Sequence, residues 1–389
     1  MTSNYKKTRV VCYSGFVVQA IVNNFLPILF IIFQTSYGLK YEQLGRIILV
    51  NFGVQIFADL ATPLIARSIG YRYTAAFSQF AAAVGLGSLA FFPHWLSNTY
   101  AAILLSVMIY AFGSGMMEVI LSPIVELLPT RNKGANMAFL HSFYCWGQAF
   151  TVLVTTTLVW WFGYDAWQNI PLIWAILPLI NAVLFLRAAI IEPQEEKQKN
   201  SVKSMFFQRE FICFAIFMLC AGSSEIAMAQ WASVFVQRGL GVEKFIGDLL
   251  GPCAFAIFMG TGRIIYGTLS GKYSVKKVLI FNNILCLMCY AAVGLFQQPI
   301  LSLLACALCG FSVSLSWPGT YSLATVTFPN GGTAMFGFFA FCGDCGCAVG
   351  PWILGVLADR IGMKNGFLAC TVFPLIMILA AVFLLKEKK

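Results

Sequence analysis

Apolar runs long enough to cross a bilayer, about 20 residues each, alternate along this chain with short polar connectors. Twelve runs can be read, roughly 9–35, 43–66, 73–92, 99–127, 135–161, 169–188, 207–237, 246–270, 276–295, 299–327, 331–358 and 366–386. One connector is longer and more polar than the rest. It begins at Glu192, contains Pro193-Gln-Glu-Glu-Lys-Gln-Lys-Asn-Ser and ends near Arg209. It lies close to the midpoint and separates six runs from six. The pattern predicts an all-α membrane protein with twelve transmembrane helices in two pseudo-symmetric six-helix bundles. Residues 1–191 form the first bundle, 192–208 a central loop and 209–389 the second.

Composition agrees with this pattern. Hydrophobic residues make up 59% of the 389 and charged residues 10%, with a mean hydropathy of +0.81. Soluble domains carry about 25% charged residues. The 36 Phe suit lipid-facing positions, and the 13 Cys fall mostly inside apolar runs, where Cys acts as a small hydrophobe. A net charge of +10 is spread over short connectors, which argues for a lipid bilayer partner and against nucleic acid. With both termini cytoplasmic, inner connectors hold 18 of the 25 Lys and Arg and outer connectors 6, with Arg263 inside the eighth span. That bias places a multi-pass protein in an inner or plasma membrane. Met1 to Val10 is short and basic and leads into an apolar run without a small-residue cleavage site, so it reads as the start of the first span.

The two halves share landmarks in the same order. The second span ends in Ala66-Arg67-Ser-Ile-Gly70-Tyr-Arg72 and the eighth in Gly267-Thr-Leu-Ser-Gly271-Lys272. The fourth and tenth carry Pro123 and Pro318, followed by Gly134-Ala-Asn-Met137 and Gly332-Thr-Ala-Met335. The fifth leaves through Phe162-Gly163-Tyr164 and the eleventh through Ile361-Gly362-Met363. A duplicated transporter unit predicts such a repeat.

With twelve spans, a basic central loop and similar halves, the chain resembles the major facilitator superfamily over essentially its whole length. Asp59, Arg67, Gly70 and Arg72 partly match the family's gate loop after the second span, as do Gly267, Leu269 and Lys272 after the eighth. Gly355-Val-Leu-Ala-Asp359-Arg360-Ile-Gly362 has the motif's wording, but the topology places it outside, so it is not read as the gate loop. Within the superfamily, Gly113-x-Gly115-x-x-Glu118 followed by Pro123 is similar to the fucose-permease-like proton–sugar symporters. The resemblance implies a cavity-side role for Glu118. Those symporters also carry an Asp in the first span, where this chain has Asn23 and Asn24 in Val22-Asn23-Asn24-Phe25, and an amide cannot carry the proton.

Three acids stand inside apolar runs: Glu118, Glu225 and Asp344. A carboxylate at membrane depth is costly and marks a pathway or a partner charge, so these are the candidates for proton coupling. Glu225 lies in Gly222-Ser-Ser-Glu225-Ile-Ala-Met-Ala-Gln230-Trp231, where acid, amide and indole are expected to form a polyol-binding surface. Asp344 is expected to serve coupling or to pair with Arg263 as an inner gate. Its neighbours Cys342, Cys345 and Cys347 do not share one helical face, so no metal site is read there. Asn23 and Asn24, His141, Trp146 and Gln148 in the fifth span, and Trp317 at the Pro318 kink complete the expected substrate-binding set. Asp59, Arg67, Arg72, Arg263 and Lys272 are expected at gates.

These residues predict a carrier that alternates access to a central site and couples uptake of a neutral hydroxylated solute, first of all a sugar, to protons, with sodium as the second option for the coupling ion. No cofactor is expected, and the carrier is expected to be monomeric. An exporter of lipophilic or cationic compounds and a non-transporting receptor are the alternatives. No nucleophile–base pair, phosphate loop or paired His ligands suggest an enzyme.

Overall fold

The computed structural model describes residues 3–129, 133–192, 207–269, 273–296, 298–328 and 332–386. Lys272 lies outside them. Among the described residues the secondary structure is entirely helical. The helices are α1 (Ser3–Ile28), α2 (Phe30–Tyr37), α3 (Tyr41–Trp95), α4 (Thr99–Leu127), α5 (Lys133–Phe162), α6 (Asn169–Leu186), α7 (Arg209–Val234), α8 (Lys244–Asp248), α9 (Ala254–Leu269), α10 (Val275–Leu295), α11 (Pro299–Val313), α12 (Ser316–Thr327), α13 (Gly332–Ile361), α14 (Met363–Ala369) and α15 (Val372–Lys386).

Among the described residues, ten helical segments are long and apolar enough to cross a membrane. One of them, α3, has 55 residues, about 80 Å at the α-helical rise, far more than one crossing needs. It turns at Gly70, where φ is 83° and ψ 160°. Dividing α3 there and adding the 30-residue α5 accommodates the twelve spans. Gly163 and Gly362 hold nearly the same angles, φ 81° with ψ 171° and φ 86° with ψ 155°. Only glycine adopts this region without strain. The turns after the second, fifth and eleventh spans are therefore one motif, and the repeat is finer than the two halves suggest.

Proline breaks helices at two places. The α1–α2 junction follows Pro27, and the α11–α12 junction precedes Pro318, which has no N–H to offer Ser314. Pro123 sits inside a continuous α4.

The chain divides into two compact units. Met1–Gly38 and Val50–Glu196 form the first, Leu39–Leu49 and Lys197–Lys389 the second. The α3 helix is thus shared: its first turns belong to the second unit and the rest to the first. In the first unit α1 runs against α5 and α4, and in the second α7 runs against α13. Both contacts use small residues. A Cβ on Gly147 would stand 2.9 Å from the Ala20 Cβ. A Cβ on Gly350 would stand 2.6 Å from the Ser223 Cα, and Cβ atoms on Gly222 and Gly346 would strike the Gly343 and Leu219 carbonyls. Lipid gives no hydrophobic drive between helices, so close backbone approach carries the packing.

Two acids cap helices across long sequence distances. The Glu192 carboxylate accepts from the Tyr71 N–H at 3.1 and 3.2 Å, where the chain restarts after Gly70. Glu192, where the central loop is expected to begin, is docked on the second–third span turn. Asp359 accepts from the N–H groups of Tyr41 at 3.1 Å and Glu42 at 2.7 Å, at the start of α3. A carboxylate at a helix N-terminus satisfies free donors and complements the dipole.

Gly346→Leu is expected to lower the stability of the purified protein by about 1–3 kcal/mol, as overpacked interiors do. Gly87, with nothing within 4 Å of its Cβ position, is the control, and Gly87→Ala is expected to leave the thermal unfolding midpoint unchanged or slightly raised.

Candidate functional site

In the first unit a hydrogen-bonded set of polar side chains joins α1, α3, α4 and α5. Gly115 brings α4 against α3, since a Cβ there would lie 2.6 Å from the Gln55 carbonyl and 2.9 Å from the Ala58 Cβ. At this contact the Ser114 hydroxyl donates to Gln55 Oε1 at 3.2 Å. Gln55 Nε2 donates to Asn23 Oδ1 at 2.8 Å, and Asn51 Nδ2 donates to the same oxygen at 3.2 Å. Asn23 Nδ2 reaches the Tyr144 hydroxyl on α5 at 3.4 Å. One turn from Asn23 on α1, Gln19 Nε2 donates to Glu118 Oε2 at 2.8 Å. Glu118 is partly exposed and Gln19 buried. Asp59 is within electrostatic reach of Glu118.

In the second unit the buried acid is Glu225 on α7. Arg263 Nη2 on α9 stands 3.9 Å from Glu225 Oε1, and the Trp317 indole on α12 hydrogen-bonds the same side chain. Glu225 Oε2 is buried without a hydrogen-bond partner. Trp317 lies against the backbone of Gly343 on α13, where a Cβ would stand 2.8 Å from Cζ2 of the ring. Asp344, the next residue, is buried. Near the far end of α7 a second acid is enclosed: Asp248, the last residue of α8, accepts from Lys244 Nζ at 2.7 Å and from the Ser233 hydroxyl on α7. Both charged residues are buried. Two π-helical turns, Phe235–Gly239 and Leu249–Cys253, flank this trio.

Several expectations change. Trp231 is fully buried, with Nε1 donating to the Pro351 carbonyl at 2.9 Å and its ring edge-on to Tyr41 at 5.9 Å. It is a packing residue, and the indole that meets Glu225 is Trp317. Six residues at about 100° each put Trp231 on another face of α7 from Glu225, and buried Gln230 does not meet that acid's face either. Arg263, expected at the inner gate, has Glu225 beside it. Trp146 is 42% exposed and shares a face with Phe139, Phe150, Leu153 and Trp160, an exposed apolar stripe of α5. Gln148 is buried and lies about 200° from Trp146 around α5, on the side of Tyr144 and His141. His141 is exposed, with its ring 5.1 Å from Phe16. Asn24 donates to the Ala20 carbonyl on its own helix at 2.9 Å. Asp59, expected in the gate loop, stands within the span beside Glu118, while Arg67 and Arg72 lie at the Gly70 turn and Arg67 is exposed. Lys244, counted with the outer connectors, is a buried partner of Asp248.

Gln19, Asn51, Gln55, Ser114 and Tyr144 were not singled out from the sequence. The signal was present: Gln19 and Asn23, Asn51, Gln55 and Asp59, and Ser114 and Glu118 recur every four residues, which aligns them on one helical face.

Comparison with known proteins fits this architecture. The family model described as Major Facilitator Superfamily matches residues 11–344 and again 253–389. The chain belongs to the Major Facilitator Superfamily. It is therefore a membrane transporter and not an enzyme. Among its superfamily relatives, the membrane protein MosC of Rhizobium meliloti is 22% identical over 363 residues, covering 90% of this chain and 83% of that protein. The solved structure of a D-xylose–proton symporter superposes with a TM-score of 0.81 at 15% identity, covering 100% of this chain and 98% of that one. The fucose–proton symporter FucP of E. coli superposes with a TM-score of 0.67 at 16% identity, covering 98% and 99%. At these identities the structural likeness speaks for the superfamily fold.

Because Trp231 is fully buried and its Nε1 is hydrogen-bonded to the Pro351 carbonyl, Trp231→Ala is expected to cost about 3–5 kcal/mol, as buried aromatic truncations do. Trp146→Ala, on the exposed face of α5, is expected to leave the unfolding midpoint in detergent nearly unchanged. A reversed order would return Trp231 to an open binding surface.

Proposed function

We propose that this transporter takes up a neutral hydroxylated solute, a sugar or close analogue, by alternating access, and that a proton moves with it. The observation that carries the reading is the pair of span-borne carboxylates in polar settings, Glu118 beside Gln19 and Glu225 beside Arg263 and Trp317. In each setting a proton can be taken up or released without stranding a charge in lipid, because a neighbouring donor or cation already holds one oxygen of the carboxylate. The change in charge then biases one access state over the other.

Solute recognition in this reading falls to Asn23, Gln148 and Tyr144 in the first unit and to Glu225, Trp317 and Asp344 in the second. Amides and carboxylates bond hydroxyls while an indole stacks on a sugar's apolar face. The fold likeness to symporters named for D-xylose and fucose supports a sugar as the first solute to test. The bias of Lys and Arg among connectors supports cytoplasmic termini in an inner or plasma membrane.

The test is sugar uptake into proteoliposomes. An inward proton gradient is expected to accelerate uptake. Glu118→Gln is expected to reduce gradient-driven uptake by about tenfold or more while leaving solute exchange in place, because an amide can donate and accept hydrogen bonds but cannot shuttle the proton. No uptake of any sugar, with extrusion of lipophilic cations instead, would replace this reading with an exporter.

A further inference from the structure

We infer that Cys286 on α10 and Cys309 on α11 are a thiol pair that a small neutral oxidant joins into a disulfide, tying the two helices together. The chemistry of the pair does not depend on which solute is carried.

Register is the first observation. Two Cys-x-x-Cys repeats stand on neighbouring helices, Cys286-Leu-Met-Cys289 on α10 and Cys306-Ala-Leu-Cys309 on α11. The connector from Phe296 to Gln298 is short, which makes the helices antiparallel neighbours. Cys289 and Cys306 are equally far from the middle of that connector, and so are Cys286 and Cys309. A spacing of three keeps both thiols of a repeat on one helical face, so the repeats match thiol for thiol. The side chains agree. Cys286 and Cys309 share a thiol hydrogen bond, and Cys289 and Cys306 are within electrostatic reach of Cys309. Two thiols in contact across a helix pair are near the separation that a disulfide demands.

The setting decides what the pair can become. All four thiols are buried. In a soluble chain this spacing would mark zinc, but four thiolates around the ion keep a net negative charge, which is costly to bury among apolar side chains. Among the described residues no group of three or more ligating side chains is placed to hold a metal. A disulfide is neutral and suits the place. Buried thiols resist polar reagents, whereas Met288 and Leu308, next to the thiols in sequence, are exposed, so a neutral oxidant in the apolar phase meets this helix pair from outside. Hydrogen peroxide is of that class. It gives one oxygen to one sulfur as its O–O bond breaks, leaving a sulfenic acid and a water. The second sulfur then attacks the first, the S–S bond forms, and the S–O bond breaks. The departing oxygen leaves as water with the second thiol's proton, so two thiols and one peroxide give one disulfide and two waters. The tie holds α11 against α10 shortly before the α11–α12 break that leads to Trp317.

The experiment needs no solute. Purified protein in liposomes is treated with hydrogen peroxide, quenched with catalase, unfolded, and mapped by mass spectrometry without reduction. Two of the thirteen thiols are expected to be lost, in a single cross-linked peptide pair that contains Cys286 and Cys309. Dithiothreitol is expected to restore both. Cys309→Ser is expected to keep all its remaining thiols under the same treatment, and Cys345→Ser, on α13, to form the link as the unaltered protein does. Peroxide-treated protein without the Cys286–Cys309 link overturns the proposal. So does a link that joins other cysteines in its place, or a Cys309→Ser protein that still loses two thiols. The mapping of the unaltered protein decides even where a variant fails to fold.

Discussion

A carboxylate in the interior of a bilayer has to be bonded, paired or neutral, and both units of this transporter are arranged around that requirement. Glu118 leans on the amide of Gln19, Glu225 on Arg263 and Trp317, and Asp248 on Lys244 and Ser233. Each arrangement draws on at least two helices. A shift of one helix against the other therefore changes what the acid meets, and a change in the charge on the acid changes which arrangement of helices is favoured. That reciprocity is what a gradient-driven carrier needs.

Such arrangements demand short helix separations, because the amide and hydroxyl partners are short side chains. Glycine provides them. The Gly115 contact sets Ser114 and Gln55 within hydrogen-bond reach, and the Gly343 contact lets the Trp317 indole lie beside the α13 backbone where Glu225 can meet it. In lipid this closeness also supplies the packing energy, so the residues that hold the bundle together and those that aim the chemistry are neighbours in sequence: Ser114 next to Gly115, Asp344 next to Gly343.

The turns show the same economy. Glycines at 70, 163 and 362 repeat one backbone conformation. Long-range acids finish two restarts of the chain, Glu192 at Tyr71 and Asp359 at Tyr41 and Glu42. Asp359 belongs to the motif-like Gly355–Gly362 stretch, whose wording suggested a gate loop while its position did not. Its carboxylate instead holds the first turn of α3, the helix whose two ends belong to different units.

What the sequence settled by itself was whatever depends on length, periodicity and cost. Apolar runs of spanning length could only be helices in lipid, the long polar connector marked the midpoint, and acids as expensive as Glu118 and Glu225 announced themselves in apolar surroundings. The four-residue spacing of Gln19 and Asn23, and of Asn51, Gln55 and Asp59, also lay in plain view, since it needs only one helix. Partnership was different. That Arg263 stands beside Glu225, whether Trp231 or Trp317 met the acid, and whether Asp59 stood at a loop or beside Glu118 were decided by the rotation and register of one helix against another. A step of one residue turns a side chain by about 100°, and that register is fixed by contacts such as Gly115 on Gln55, between residues far apart in the chain, so only the folded structure could choose among them.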